Sequence, residues 1–117
     1  MGMSTRDEHP SIESSPLKLI MSLRRITGGR KPRGAALVMA GRLLTAIRDR
    51  RAYAALPTTP EGSIGDFPDF CHNEPGIGSL RHAHRCMRIG RALRPEEVSA
   101  RLGSSSLEAL AQIRERH

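Results

Sequence analysis

The sequence predicts an all-α protein: a small bundle of four or five short helices, with a long irregular central connector and a disordered N-terminal tail. Three observations predict it. Apolar residues recur at helical spacing in several separate runs. The runs are punctuated as helices are, with Ser or Ser-Pro before them and Gly or Pro after them. The 117 residues also include no Trp, one Tyr and two Phe. A core built from Leu, Ile, Ala and Met suits thin helical packing better than a sandwich or barrel.

Residues 1–15, MGMSTRDEHPSIESS, are polar and aperiodic and are expected to form the disordered tail. The remainder, 16–117, is expected to be a single small domain. Ser15 and Pro16 supply an N-cap and a first helical proline, and Gly28–Gly29 ends the run PLKLIMSLRRI, which predicts a helix over about 16–26. The basic loop GGRKPRG (28–34) precedes the longest helical candidate, 35–56, where Leu37, Ala40, Leu43, Leu44 and Ile47 share one face and Arg42, Thr45 and Asp49 lie opposite. Pro57 stops it. Residues 57–78 hold four Pro, four Gly and only acidic charges (Glu61, Asp66, Asp69, Glu74), so they read as an acidic connector. Phe67 and Phe70 lie within it, and a solvated linker has no use for them; they are expected to pin it to the helices. Ser79 caps a helix over 80–93, Pro95 opens a short one that ends at Gly103, and Ser105 with Glu108 is spaced as a capping box for the last.

The formal charge of +7 comes from 19 basic residues, all Arg except Lys18 and Lys31. Guanidinium forks match phosphate and carboxylate geometry, so the composition points to nucleic acid or an acidic protein partner. A GC-rich genome enriches the same residues by codon usage, so a spurious or recently arisen reading frame without selected function would carry a similar balance. There is no early apolar run at the N-terminus and no window long enough to span a membrane. A cytoplasmic protein is expected, its modest core supplemented by a partner, a metal or self-association.

Two basic clusters stand out. Arg24, Arg25, Arg30, Lys31 and Arg33 surround the Gly-rich loop, where backbone N–H groups and forked side chains could follow a phosphate backbone. Arg81, Arg85, Arg88 and Arg91 fall within an arc of about 120° on one helix. The near absence of aromatic residues argues against single-strand binding by base stacking.

The C-terminal stretch RPEEVSARLGSSSLEALAQI, within 94–117, has the order helix, Gly-containing turn, capped helix. It resembles the DNA-binding helix-turn-helix: Val98 and Leu102 match the buried positions of a first helix, Ser99 the small crossing residue and Gly103 the turn. The resemblance implies a transcription-regulating or accessory protein whose Ser104, Ser105, Ser106 and Gln112 meet base edges while Arg101 meets a phosphate. Ser104 departs from the usual apolar turn residue, and Leu107, Leu110 and Ile113 sit about one place out of register. A plain helical hairpin is the competing reading. So, more broadly, is an adaptor, inhibitor or subunit that docks its amphipathic helices and the Phe67/Phe70 loop on an acidic partner.

Both cysteines lie in DFCHNEPGIGSLRHAHRCM (69–87). On a helix His82 and Cys86 share a face at a spacing two zinc ligands can use, and Cys71 or His72 could complete the set. The competing reading makes Cys86 a small core residue and His82 a marginal one. No short Cys-x-x-Cys spacing, phosphate-binding Gly signature or nucleophile elbow is present, so no resident cofactor and no enzymatic activity are expected.

Overall fold

A computed structural model describes residues 15–57, 62, 64–98 and 103–116. The expected N-terminal tail lies outside them, apart from Ser15. The described residues form an all-α protein of five helices and two 3-10 turns, without a strand.

Helix α1 spans Pro16–Thr27. The Ser15 hydroxyl accepts the Lys18 N–H at its start, and Gly28, at φ 59°, closes its end by donating to the Arg24 carbonyl. Its buried face is Leu19, Ile20, Leu23 and Thr27. Helix α2 spans Gly34–Arg50, shorter than the expected 35–56. Arg51 takes a left-handed conformation (φ 54°) and a 3-10 turn, Ala52–Ala55, follows. A left-handed non-glycine residue costs about 1–2 kcal/mol. The redirected chain offsets this by burying Ala52 and Tyr53, the latter against Phe67 and Phe70 at ring-centroid distances of 6.5 and 6.3 Å.

The connector is not irregular throughout: it contains helix α3, Phe67–Asn73. Asp66 caps it by accepting the Asp69 N–H at 2.9 Å, Pro68 occupies its first turn, and Phe67, Phe70 and Cys71 form its buried side. The expected pinning by both Phe side chains is present; the helix that performs it was the part not anticipated. Helix α4, Leu80–Ala92, starts with the Ser79 hydroxyl accepting the His82 N–H and buries Ala83, Cys86, Met87, Ile89 and Gly90. After a 3-10 turn at Pro95–Glu97 comes helix α5, Ser104–Arg116.

Helix α2 is central, with α1 and α4 packed on it and α5 packed mainly on α4. The α2–α4 crossing is set by two glycines. A Cβ on Gly90 would lie 2.8 Å from the Arg42 nitrogen and 2.9 Å from the Val38 carbonyl oxygen, and one on Gly41 would overlap the Cys86 carbonyl. The helices touch backbone to backbone. Arg42 seals the same crossing: its Nε and Nη2 donate to the Gly90 and Leu93 carbonyls at 2.9 and 2.8 Å. These lie at the C-terminus of α4, where carbonyls lack helical partners and cations are favoured. The helical wheel placed Arg42 opposite the apolar face; it is exposed there, and its long side chain reaches along the neighbouring helix.

Candidate nucleic-acid interface

Local chemistry shapes the loop between α1 and α2. Gly28 and Gly29 both take positive φ (59° and 80°), which turns the chain at once after α1, and Arg33 stands at the N-cap of α2. The Arg33 side chain makes no capping hydrogen bond to the helix, and the first turn of α2 holds no acidic residue. The helix therefore presents its positive dipole end to whatever the loop holds.

The structure divides the five basic residues predicted here. Arg24 turns away from the group. Its guanidinium makes a two-pronged pair with Glu74, Nε to Oε2 at 2.8 Å and Nη2 to Oε1 at 3.0 Å. Glu74, one of the four acids of the connector, is only 3% exposed. Removing Arg24 would leave a buried carboxylate unpaired, a costly state, and the hydrogen bond with Glu74 raises the Arg24 pKa further. This pair fixes α1 to the segment that follows α3. Arg25, Arg30 and Lys31 remain exposed, without a carboxylate partner among the described residues, and the Arg33 side chain extends beside Gly103 at the start of α5.

The second predicted cluster is differently placed. Arg81 is exposed on the first turn of α4, but Arg85 and Arg88 both pair with Glu108 of α5 at 3.1 and 3.0 Å, and Arg91 pairs with Glu115 at 3.0 Å. Glu108, spaced in the sequence as a capping-box partner of Ser105, bridges two arginines of α4 in the fold.

The expected helix-turn-helix lies partly outside the described residues, and its described beginning is not a regular helix. Over 95–98 the first helix is one 3-10 turn, and Val98 is extended (φ −119°, ψ 145°), so no continuous helix passes through it. Ser99, Arg101 and Leu102 lie outside the described residues, as does the Ser104 side chain. Ser105, Ser106 and Gln112 are exposed on α5, while Leu107 and Ala111 are buried against the body. Proline at 95 and the Glu97 carboxylate explain the tight turn: Glu97 accepts the Arg94 N–H at 3.0 Å and the Arg114 guanidinium at 2.9 Å. Phe67 and Phe70 are buried in the core, so neither is available to dock on a partner.

Of the proposed metal set, the structure brings together two members. Cys86 Sγ lies 3.5 Å from His82 Nε2, whereas Cys71 is buried and His72 is exposed at the rim of an open groove of about 290 Å³ that also includes Lys31, Gly76 and Gly78. Among the described residues no three His, Cys, Asp or Glu side chains are grouped as a metal set requires. Burial pushes both thiols up to about 12, Cys71 aided by the nearby Cys86 and Glu74, and Cys86 opposed by Arg85 and Lys31. Both cysteines are thus neutral thiols with little nucleophilic character at neutral pH.

His82 is held below its ordinary value by burial first and then by Lys31 and Arg85. The unfolded chain therefore takes up this proton more readily than the native protein. The stabilising contribution is complete above the ordinary histidine pKa of about 6.5 and is lost progressively as pH falls from there through the lower native value. Urea midpoints of the protein and of His82→Gln, compared from about pH 7.5 to 5.5, should show the native protein losing its relative advantage on acidification. A difference that stays constant with pH would refute this.

No helix among the described residues is long and apolar enough to cross a membrane. Comparison of the chain with protein-family models, with curated proteins and with solved structures found no match.

Proposed function

We propose that the protein binds the phosphate backbone of duplex nucleic acid, independently of sequence, through the α1–α2 loop. One observation carries this reading: Arg25, Arg30 and Lys31 stay exposed without acid partners, although the fold pairs Arg24, Arg85, Arg88, Arg91 and Arg114 with carboxylates. The N-terminus of α2, with no acidic residue in its first turn, follows the same loop. A phosphate chain laid across the loop would meet guanidinium forks and an ammonium group together. Base reading has no comparable support, because the groups expected to enter a groove belong to a helix-turn-helix that is interrupted at Val98.

The test is binding to a mixed-sequence DNA duplex of about 20 base pairs as salt is raised from about 50 to 200 mM. Four phosphate contacts give a logarithmic slope near −3.6, or about a hundredfold loss of affinity over that range. Changing Arg25, Arg30 and Lys31 to Glu should remove binding at the higher salt and flatten the slope. A flat slope in the unaltered protein, or equal binding by the triple variant, would refute the loop as the interface.

A further inference from the structure

The contact between α4 and α5 is dominated by charge. One Glu108 carboxylate receives two guanidinium groups, from Arg85 at 3.1 Å and Arg88 at 3.0 Å, and Glu115 receives Arg91 at 3.0 Å. Apolar attachment is slight by comparison. Leu107 and Ala111 are buried, but Leu110 and Ile113, which a fully packed amphipathic helix would also cover, are 42% and 56% exposed. Partly exposed ion pairs are worth about 0–1 kcal/mol each and weaken with salt. Leu107, Ala111 and the Arg114–Glu97 pair hold α5 in place, but part of its contact with α4 is therefore made of bonds that another anion can replace.

A carboxylate bridging two arginine forks presents the same acceptor chemistry as a phosphodiester. Alongside those carboxylates α4 carries Arg81, Arg85, Arg88 and Arg91 on one arc, spanning about 15 Å along the helix axis; Arg91 is 70% exposed even when paired, so α5 masks the arc by neutralising its charge more than by covering it. We propose that this arc is a second nucleic-acid surface, masked in the free protein by α5, with Glu108 and Glu115 occupying the positions that backbone phosphates take on binding. The ligand class rests on the function proposed above; the mask itself rests on the α4–α5 geometry alone. Binding exchanges carboxylate for phosphate on three arginines and adds Arg81, so α5 loosens as the duplex engages.

The experiment uses the full chain and the same duplex of about 20 base pairs. Glu108→Gln with Glu115→Gln should raise affinity roughly tenfold and steepen the salt slope by about 2 to 3, near 0.9 for each arginine released. Glu96→Gln with Asp69→Asn adds the same charge at exposed sites away from the arc and should change affinity far less. Adding Arg85→Gln, Arg88→Gln and Arg91→Gln to the first pair should cancel its gain. In the unaltered protein, amide exchange of α5 should speed up when duplex is added, a readout that needs no substitution. Equal effects of the two charge-matched pairs, or α5 amides that slow on binding, would overturn the mask. If the mask fails while Arg25, Arg30 and Lys31 prove necessary, the loop reading stands. If those three prove dispensable while the Glu108/Glu115 variant gains, α4 is the interface and the loop reading falls. No binding by the Glu108/Glu115 variant at about 50 mM salt would remove both.

Discussion

Gly41→Ala should destabilise the protein by about 3 kcal/mol, the upper end of the usual cost of overpacking, although alanine is the better helix former by about 1 kcal/mol. The new methyl group would be driven into the Cys86 carbonyl group, its carbon 2.6 Å from the carbonyl carbon and 3.2 Å from the Gly90 nitrogen. These are backbone atoms in the middle of a helix. They cannot rotate aside as a side-chain tip could, so α2 and α4 must separate. Separation also strains the two Arg42 hydrogen bonds to the Gly90 and Leu93 carbonyls, each worth about 1.5–3 kcal/mol because the donor is charged. A domain of this size has roughly 5–15 kcal/mol in total, so the urea midpoint should fall sharply. Gly90→Ala, approached by Arg42, Val38 and Gly41 backbone atoms at 2.8 to 3.0 Å, should behave alike, and the double variant should lose less than the sum because both open the same gap. A rise in stability for either single variant, as helix propensity alone requires, would show that the helices do not cross this closely.

Phe70→Ala should cost a similar amount, about 3–5 kcal/mol. Phe70 is fully buried and meets both other aromatic rings of the chain, Tyr53 and Phe67, each at 6.3 Å. With Phe67 and Cys71 it makes up the whole buried side of α3. Truncation leaves a cavity that a seven-residue helix, held by so few side chains, cannot close by shifting. Phe70→Leu, which keeps most of the volume, should cost markedly less. Urea unfolding gives the magnitude, and the Cys71 thiol gives the location. Burial holds Cys71 at about 12 in the native protein, so it should become reactive toward a thiol reagent in Phe70→Ala before the chain unfolds as a whole. A loss below about 1 kcal/mol, with Cys71 still protected, would mean that the aromatic cluster does not anchor α3.

These two positions show what was legible beforehand. Helix ends were readable wherever the signal is local. Ser15–Pro16 with Gly28 bounded α1 to within a residue, and Ser79 started α4, because a cap is a bond between groups three or four residues apart. The same rule was available for α3, where Asp66, Pro68 and the 67, 70, 71 apolar spacing form a complete N-terminal signature. The surrounding Pro and Gly residues obscured it. Composition also limited the protein to a helical core, and the two Phe residues were rightly placed in it.

The destination of the charges was not legible. Arg24 and Glu74 are 50 residues apart, Arg88 and Glu108 are 20 apart, and Arg42 reaches carbonyls 48 and 51 residues away. A guanidinium has no preferred sequence neighbour; its partner is whatever acceptor the packing brings within about 3 Å. Gly41 and Gly90 likewise read locally as weak points in two helices, and only the crossing turns each into a requirement. Sequence by itself determined the helices, because their caps and apolar faces are short-range properties of the chain. Tertiary structure decided which arginines are engaged with carboxylates, which stay exposed and how closely α2 and α4 approach, because those depend on distances that no local pattern encodes.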